Sequence, residues 1–340
     1  MTVRERVLKV FNFESPNDRL PMVEWAYWWD KTVSRWHEDG LPSHLGGEEL
    51  LDYFGIDRLQ CIGAWPISWG TLPLEYHATH HGAGILKGDD LNATYDIIRP
   101  HLFVDSAIES LVNSAKRLKE QHDKGEVALR IWIEGFFWFP RILFGIEEHL
   151  YAFFDYPELM HRINSDLAEF NIKAIKALLE VLTPEFIGIA EDMSYNNGPM
   201  LSKDMYDEFV APYYAKLTPV IKDSGVKVLV DTDGDVTEMI PWLIESGMDG
   251  IYPLERQAGV DIAVFREKYP RLLMLGGYDK MVMSHGEAAM RAEFERLLPV
   301  MRSGGFIPSV DHQTPPGVSL ENYQIYSKLL AEYCAKACKK

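Results

Sequence analysis

The chain has 340 residues, enough for one large domain with an insertion, and its 47% hydrophobic and 25% charged content excludes a mainly disordered or collagen-like chain. Fifty-one acidic against 34 basic residues give a formal net charge of -17, so the surface repels phosphate backbones and anionic membranes, and neither nucleic acid nor membrane is expected as a partner. The opening MTVRERVLKVFNFE lacks an apolar signal core, no run is long and uncharged enough to cross a bilayer, and Cys61, Cys334 and Cys338 form no paired framework, which together fit a reducing cytoplasm.

Short apolar runs rich in β-branched and aromatic residues alternate with long amphipathic stretches along the whole chain. The runs fall at 22–26, 58–62, 128–133, 186–190, 227–230, 250–254, 272–275 and 306–310. Eight runs joined by crossover helices predict an α/β fold, a (β/α)8 TIM-type barrel built as a single domain over 1–340. Helices are expected at 203–222, entered through Ser202 as a cap, and at 286–301. Residues 71–99 fit neither period cleanly; alternation around Gly82, Gly84 and Gly88 predicts a hairpin insertion on the barrel rim.

Several predicted strands end in acidic or imidazole residues: Glu24, Glu134, Glu191 with Asp192, Asp231 with Asp233, Glu255, Asp279, and Asp311 with His312. Barrel enzymes assemble their sites from strand C-termini, so these residues are expected to converge on one face. In Asp231-Thr232-Asp233-Gly234, side chains two apart share a face if the strand continues, which places two carboxylates in one small volume suited to a divalent cation or a shared proton. The same string also reads as a solvated Asp/Gly turn capping the next helix. His312 precedes a proline-stiffened loop, where a structural hydrogen-bonding role competes with a catalytic one. Glu191 and Asp192 lead into Asn196, Asn197 and Gly198, a sequence that can also satisfy its own backbone through Asx turns. Nine tryptophans form a further signal; Trp25, Trp65 and Trp138, just beyond the first three strands, are placed to wall a pocket for a flat ligand. No phosphate loop, nucleophile elbow or cysteine zinc motif is present.

Glu191-Asp192-Met193 through Leu201-Ser202, followed by Phe209-Val210-Ala211-Pro212-Tyr213, resembles the signature of the uroporphyrinogen decarboxylase superfamily, including its cobamide-dependent methyltransferases. Gly276-Gly277 with Asp279, then His312 and Ser319-Leu320-Glu321-Asn322, extend the resemblance over nearly the whole chain. The decarboxylase branch carries arginines after its first strand for substrate carboxylates. Here that region reads Glu24-Trp25-Ala26-Tyr27-Trp28-Trp29-Asp30 with no arginine before Arg35, so the anion clamp is lost and porphyrinogen decarboxylation is not expected.

The thiol-methylating branch places a zinc-binding His-x-Cys where this chain has Asp231-Thr232-Asp233, and a further Cys where it has His312. The resemblance therefore implies a metal site of Asp231, Asp233, Glu255 and His312, most naturally for zinc, with manganese or iron as alternatives. It implies a methyltransferase of O-demethylase type, which takes a methyl group from a small methoxylated aromatic donor and passes it to cob(I)alamin, the cobalamin being carried on a partner corrinoid protein. Asp231, His312 and Glu191 are the expected catalytic residues; Trp25, Trp65, Trp138, Glu24 and Asp192 are expected to bind the donor. A decarboxylase-like lyase acting on a small substrate, with His312 or Asp231 as general acid, is the first alternative. A non-catalytic tetrapyrrole or corrinoid carrier is the second.

Overall fold

A computed structural model describes residues 1–77 and 82–339. Nine strands occur among them: β1 (Leu59–Gly63), β2 (Ala128–Glu134), β3 (Phe186–Ala190), the two-residue β4 (Ser194–Tyr195) and β5 (Gly198–Pro199), β6 (Lys227–Thr232), β7 (Gly250–Pro253), β8 (Leu273–Tyr278) and β9 (Phe306–Val310). Seven form one parallel sheet in the order β1-β2-β3-β6-β7-β8-β9, while β4 and β5 pair antiparallel beyond the end of β3. Each parallel step needs a crossover, which the intervening helices provide. The 23-residue helix Pro157–Leu179 illustrates why they pack: Leu159, Ile163, Leu167, Phe170, Ala174 and Leu178 recur at three- and four-residue spacing and are all buried. Each large apolar side chain so buried contributes about 1.5–3 kcal/mol.

The sheet curls into a barrel. Arg130 of β2 and Tyr252 of β7, separated in strand order by β3 and β6, meet inside it with the guanidinium carbon 5.6 Å from the phenol ring centre. Gly188 of β3 leaves the room for this contact, since an added Cβ would lie 2.4 Å from the Tyr252 hydroxyl.

The first expected strand, 22–26, is not a ladder strand. It lies between β9 and β1 and meets both neighbours by other bonds. Met22 N–H donates to the Asp57 carboxylate, Asp57 N–H donates back to Met22 carbonyl at 2.6 Å, and the Trp25 indole donates to Val310 carbonyl at 2.8 Å. Side chains have taken the places that a regular ladder would fill, so the eighth stave is an irregular segment with buried Met22, Val23 and Glu24.

The expected hairpin at 71–99 is also corrected. Its described residues hold a 3-10 turn at Leu74–Tyr76 and an α-helix at Leu91–Ile98, with no strand pair; 78–81 lie outside the described residues. Asp90 caps that helix by accepting from Ala93 N–H, and Leu91, Tyr95 and Ile98 follow the helical period. The single helix expected at 203–222 is two, Lys203–Phe209 and Ala211–Lys222, broken ahead of Pro212 and entered through Ser202 as anticipated. No helix among the described residues is long and apolar enough to cross a membrane.

Candidate active site at the strand ends

A cavity of about 320 Å³ opens at the C-terminal ends of the strands. Its wall includes Trp25, Trp132 and Trp138, and its polar lining includes Arg130, Asp192, Asp231, Asp233 and His312. Strand alternation explains the layering. Arg130 and Trp132 are two apart on β2, Asp231 and Asp233 two apart at the end of β6, and small Gly188 and Ala190 on the intervening β3 leave space between them.

Three of the four expected metal ligands come together. One donor atom from each of Asp233, Glu255 and His312 lies within 4.8 Å of the other two. His312 Nε2 is 3.6 Å from Asp233 Oδ2, and this carboxylate raises the imidazole pKa above its ordinary value against the opposing effect of burial. Glu255 Oε2 accepts from Gly234 N–H at 3.1 Å, while Oε1 is 3.8 Å from Lys280 Nζ. Metal–oxygen and metal–nitrogen bonds of about 2.0–2.2 Å place tetrahedral zinc ligands roughly 3.4 Å apart, so a small contraction of this triad fits a zinc ion with one position open.

Asp231 is not in that cluster. It belongs to β6 itself, one alternation deeper than Asp233, and burial pushes its carboxyl up to about 8 although Arg130 opposes the shift. At neutral pH it is an acid holding a proton, and a protonated carboxyl is a poor metal ligand. Asp192 sits at the cavity edge in left-handed backbone (φ 40°), held by Arg141 Nη1 at 3.0 Å; burial raises its carboxyl, with Asp233 adding to the shift.

Glu191 lines the cavity, but its carboxylate is occupied. Phe136 and Phe137 N–H donate to it at 2.8 Å, Trp138 N–H at 3.1 Å, and the Tyr214 hydroxyl donates as well. Burial pushes this carboxyl up to about 7 while those donors pull it down. Gly135 permits the approach, since a Cβ there would meet the Glu191 carboxyl carbon at 2.2 Å. Glu191 thus holds the β2–helix turn that presents Trp138, rather than meeting a ligand with a free carboxylate.

Two further expectations are corrected. Glu24 turns away from the cavity and is buried beside Ser309 with the Tyr323 hydroxyl donating to it; desolvation raises its carboxyl to about 8. Trp65 is 53% exposed and is not part of the cavity wall. Conversely, Arg130 and Trp132 were not singled out from the sequence. The signal was present: a lone arginine within Ala-Leu-Arg-Ile-Trp-Ile-Glu shares strand parity with Trp132, so both project inward if either does.

The uroporphyrinogen decarboxylase (URO-D) family model matches residues 95–333. Among solved structures, the fold is similar to a methyltransferase from Methanosarcina mazei, at 15% identity and a TM-score of 0.65, covering 98% of this chain and 99% of that one. A uronate isomerase from Bacillus halodurans is more distantly similar, at 10% identity and a TM-score of 0.35, over 98% of this chain and 87% of the other. A comparison with curated protein sequences yields no significant match. The family match spans well over half of the chain, from the helix Leu91–Ile98 to the last helix, and the chain belongs to the uroporphyrinogen decarboxylase family.

Proposed function

We propose that the protein is a methyltransferase that removes a methyl group from a small methoxylated aromatic and passes it to cob(I)alamin on a partner corrinoid protein. The observation that carries this reading is one cavity in which an indole wall of Trp25, Trp132 and Trp138 meets the Asp233, Glu255 and His312 cluster. Indole faces suit a flat ring. Asp233, Glu255 and His312 would hold a divalent metal, zinc best, with Gly234 N–H fixing one Glu255 oxygen. A metal so held supplies Lewis-acid polarisation of an ether oxygen.

Asp231 contributes separately. As the methyl–oxygen bond breaks, its electron pair passes to oxygen, and a carboxyl that keeps its proton to about pH 8 can deliver that proton to the departing aryloxide. Asp192 is fixed by Arg141 at the cavity edge, and Glu191 is assigned to positioning Trp138. Metal binding and proton delivery are thereby divided between Asp233 and Asp231, two residues apart.

The test is single-turnover methyl transfer from methoxylated aromatics to cob(I)alamin bound to its carrier protein, followed by the loss of the cob(I)alamin absorption. Asp231→Asn and His312→Ala should each slow transfer by at least about 100-fold while leaving the fold and carrier binding intact. Transfer at the normal rate in both variants would remove this mechanism. The protonated Asp231 also favours a second reading, a decarboxylase-like lyase in which it protonates a carbanion; release of carbon dioxide without cob(I)alamin would select it. Tight corrinoid binding with no turnover of any donor would instead indicate a carrier.

A further inference from the structure

The cavity contains a charge that the proposed chemistry does not use. Arg130 projects from β2 into the barrel, lines the cavity, and is only 6% exposed. Its Nε and Nη1 have no hydrogen-bond partner, and no carboxylate among the described residues lies within the 4.0 Å that defines an ion pair. The buried Tyr252 hydroxyl, beside it on β7, is likewise unpartnered. A guanidinium taken out of water without an anion and without hydrogen bonds is strongly destabilising, so such groups are normally paired.

Other charges in the cavity have local partners. Asp192 has Arg141 at 3.0 Å and Asp233 has His312 at 3.6 Å. Asp231 lines the same cavity and forms no ion pair with Arg130. Arg130 is fixed laterally by the Trp132 and Tyr252 rings, each with its centre 5.6 Å from the guanidinium carbon. These rings restrict the side chain without satisfying its N–H groups. A forked, rigid donor without a protein anion is shaped for a planar carboxylate.

We infer that Arg130 binds the carboxylate of the substrate, so that the donor class is a small aromatic monocarboxylate of the methoxybenzoate type. Its ring would stack against the indole wall above Arg130, and its carboxylate would point to the barrel floor. The first-strand arginines whose absence argued against porphyrinogen decarboxylation would be replaced, for a single carboxylate, by one guanidinium from another strand. This inference rests on the reading of the cavity as the donor pocket, but it concerns binding alone.

The experiment is calorimetric titration of the whole protein, without corrinoid carrier, with 4-methoxybenzoate and with 4-methoxybenzamide, which has nearly the same shape and no charge. The acid should bind at least about tenfold more tightly than the amide, as expected for a charged bidentate pair over a neutral contact. Arg130→Gln should abolish that preference, and Arg130→Lys should retain only part of it because ammonium lacks the fork. Equal affinities in the wild-type protein, saturable binding of neither ligand, or an unchanged preference in Arg130→Gln would each overturn the inference. If Arg130→Gln fails to fold, the wild-type comparison and Arg130→Lys still decide. Carboxylate-selective binding without methyl transfer would refute the proposed function and leave this assignment standing; methyl transfer from neutral methoxyarenes with no preference for acids would do the reverse.

Discussion

Glu191→Gln separates a positioning carboxylate from a reacting one. Glu191 Oε1 accepts from Phe136 N–H at 2.8 Å and from the Tyr214 hydroxyl, and Oε2 from Phe137 N–H at 2.8 Å and Trp138 N–H at 3.1 Å. An amide keeps one acceptor and puts a donor at the other position. With its NH2 at Oε2, the Phe137 and Trp138 amides both lose their acceptor. With it at Oε1, the tyrosine hydroxyl can rotate to accept, and only Phe136 N–H is left without a partner. The second orientation is preferred. One unpaired buried N–H, together with the loss of charge-assisted bonds, costs about 2–4 kcal/mol. An unfolding entropy of roughly 2.1 cal/mol/K per residue gives roughly 0.7 kcal/mol/K for 340 residues. The melting temperature should therefore fall by about 3–6 °C. Because the preferred orientation keeps Trp138 N–H bonded, the cavity wall persists, and methyl transfer at saturating donor should stay within a few-fold of wild type. Calorimetric melting and single-turnover transfer on the same preparation check both halves. A variant that melts like the wild type but transfers no methyl group would refute the positioning role.

Burial raises the Asp231 carboxyl from 3.8 to about 8, so between those values the native state binds more protons than the unfolded chain, and the stability that this proton contributes is lost as pH rises through about 8. Asp231→Asn is neutral throughout. Its melting temperature relative to wild type should rise from about pH 5 to about pH 9, and a difference independent of pH would contradict a buried acid at this position. Trp25→Ala should destabilise the fold by about 3–5 kcal/mol, because the indole is buried and bonded to Val310 carbonyl; Trp138→Ala is therefore the better probe of the wall, and it should weaken 4-methoxybenzoate binding by about tenfold or more with a smaller loss of melting temperature. Zinc binding, read by equilibrium dialysis and elemental analysis, should be lost in Asp233→Ala, Glu255→Ala and His312→Ala and retained in Asp231→Asn, and it should tighten as pH rises through the raised His312 pKa, since metal and proton compete for the imidazole. Equal zinc binding in all four variants would dissolve the assignment.

The barrel was legible because crossover packing makes its strands short, apolar and regularly spaced, and seven of the expected runs form the sheet. The segment 22–26 shows the limit of that signal. Its residues are as buried as a strand's, but Asp57 and Trp25 satisfy its backbone neighbours, and side-chain bonds of that kind leave no periodic trace. At the site, strand-end position located Asp233, Glu255 and His312, whereas burial decided what each acid could do, and burial is a property of neighbours distant in sequence. Glu191 lies at a strand end like Asp231, yet it faces the amides of 136–138 across the sheet. Glu24 adjoins Trp25 in the chain and ends on the opposite side, against Tyr323, a residue almost the whole chain away. Arg130 was overlooked for a different reason: a single arginine in an apolar strand carries no motif, and its meaning comes from the lack of an anion beside it in the folded barrel.

The acidic excess of the chain and a guanidinium at the cavity are not in conflict, because six of the strand-end acids fall into three electrostatic kinds. Asp192 and Asp311 are opposed by the cations Arg141 and Lys280, and Asp233 lies 3.6 Å from the His312 imidazole. Glu24 and Asp231 are raised toward neutrality by burial. Glu191 is met by a concentrated set of N–H dipoles. Each device offsets or removes negative charge without removing a carboxyl group. Among the described residues that line the cavity, Arg130 is a cation with no ion-pair partner. Counting acidic residues along the sequence therefore does not fix the sign of ligand that the proposed pocket takes: the -17 belongs to the whole chain, while the guanidinium of Arg130 stands at the cavity with buried nitrogens that have no partner.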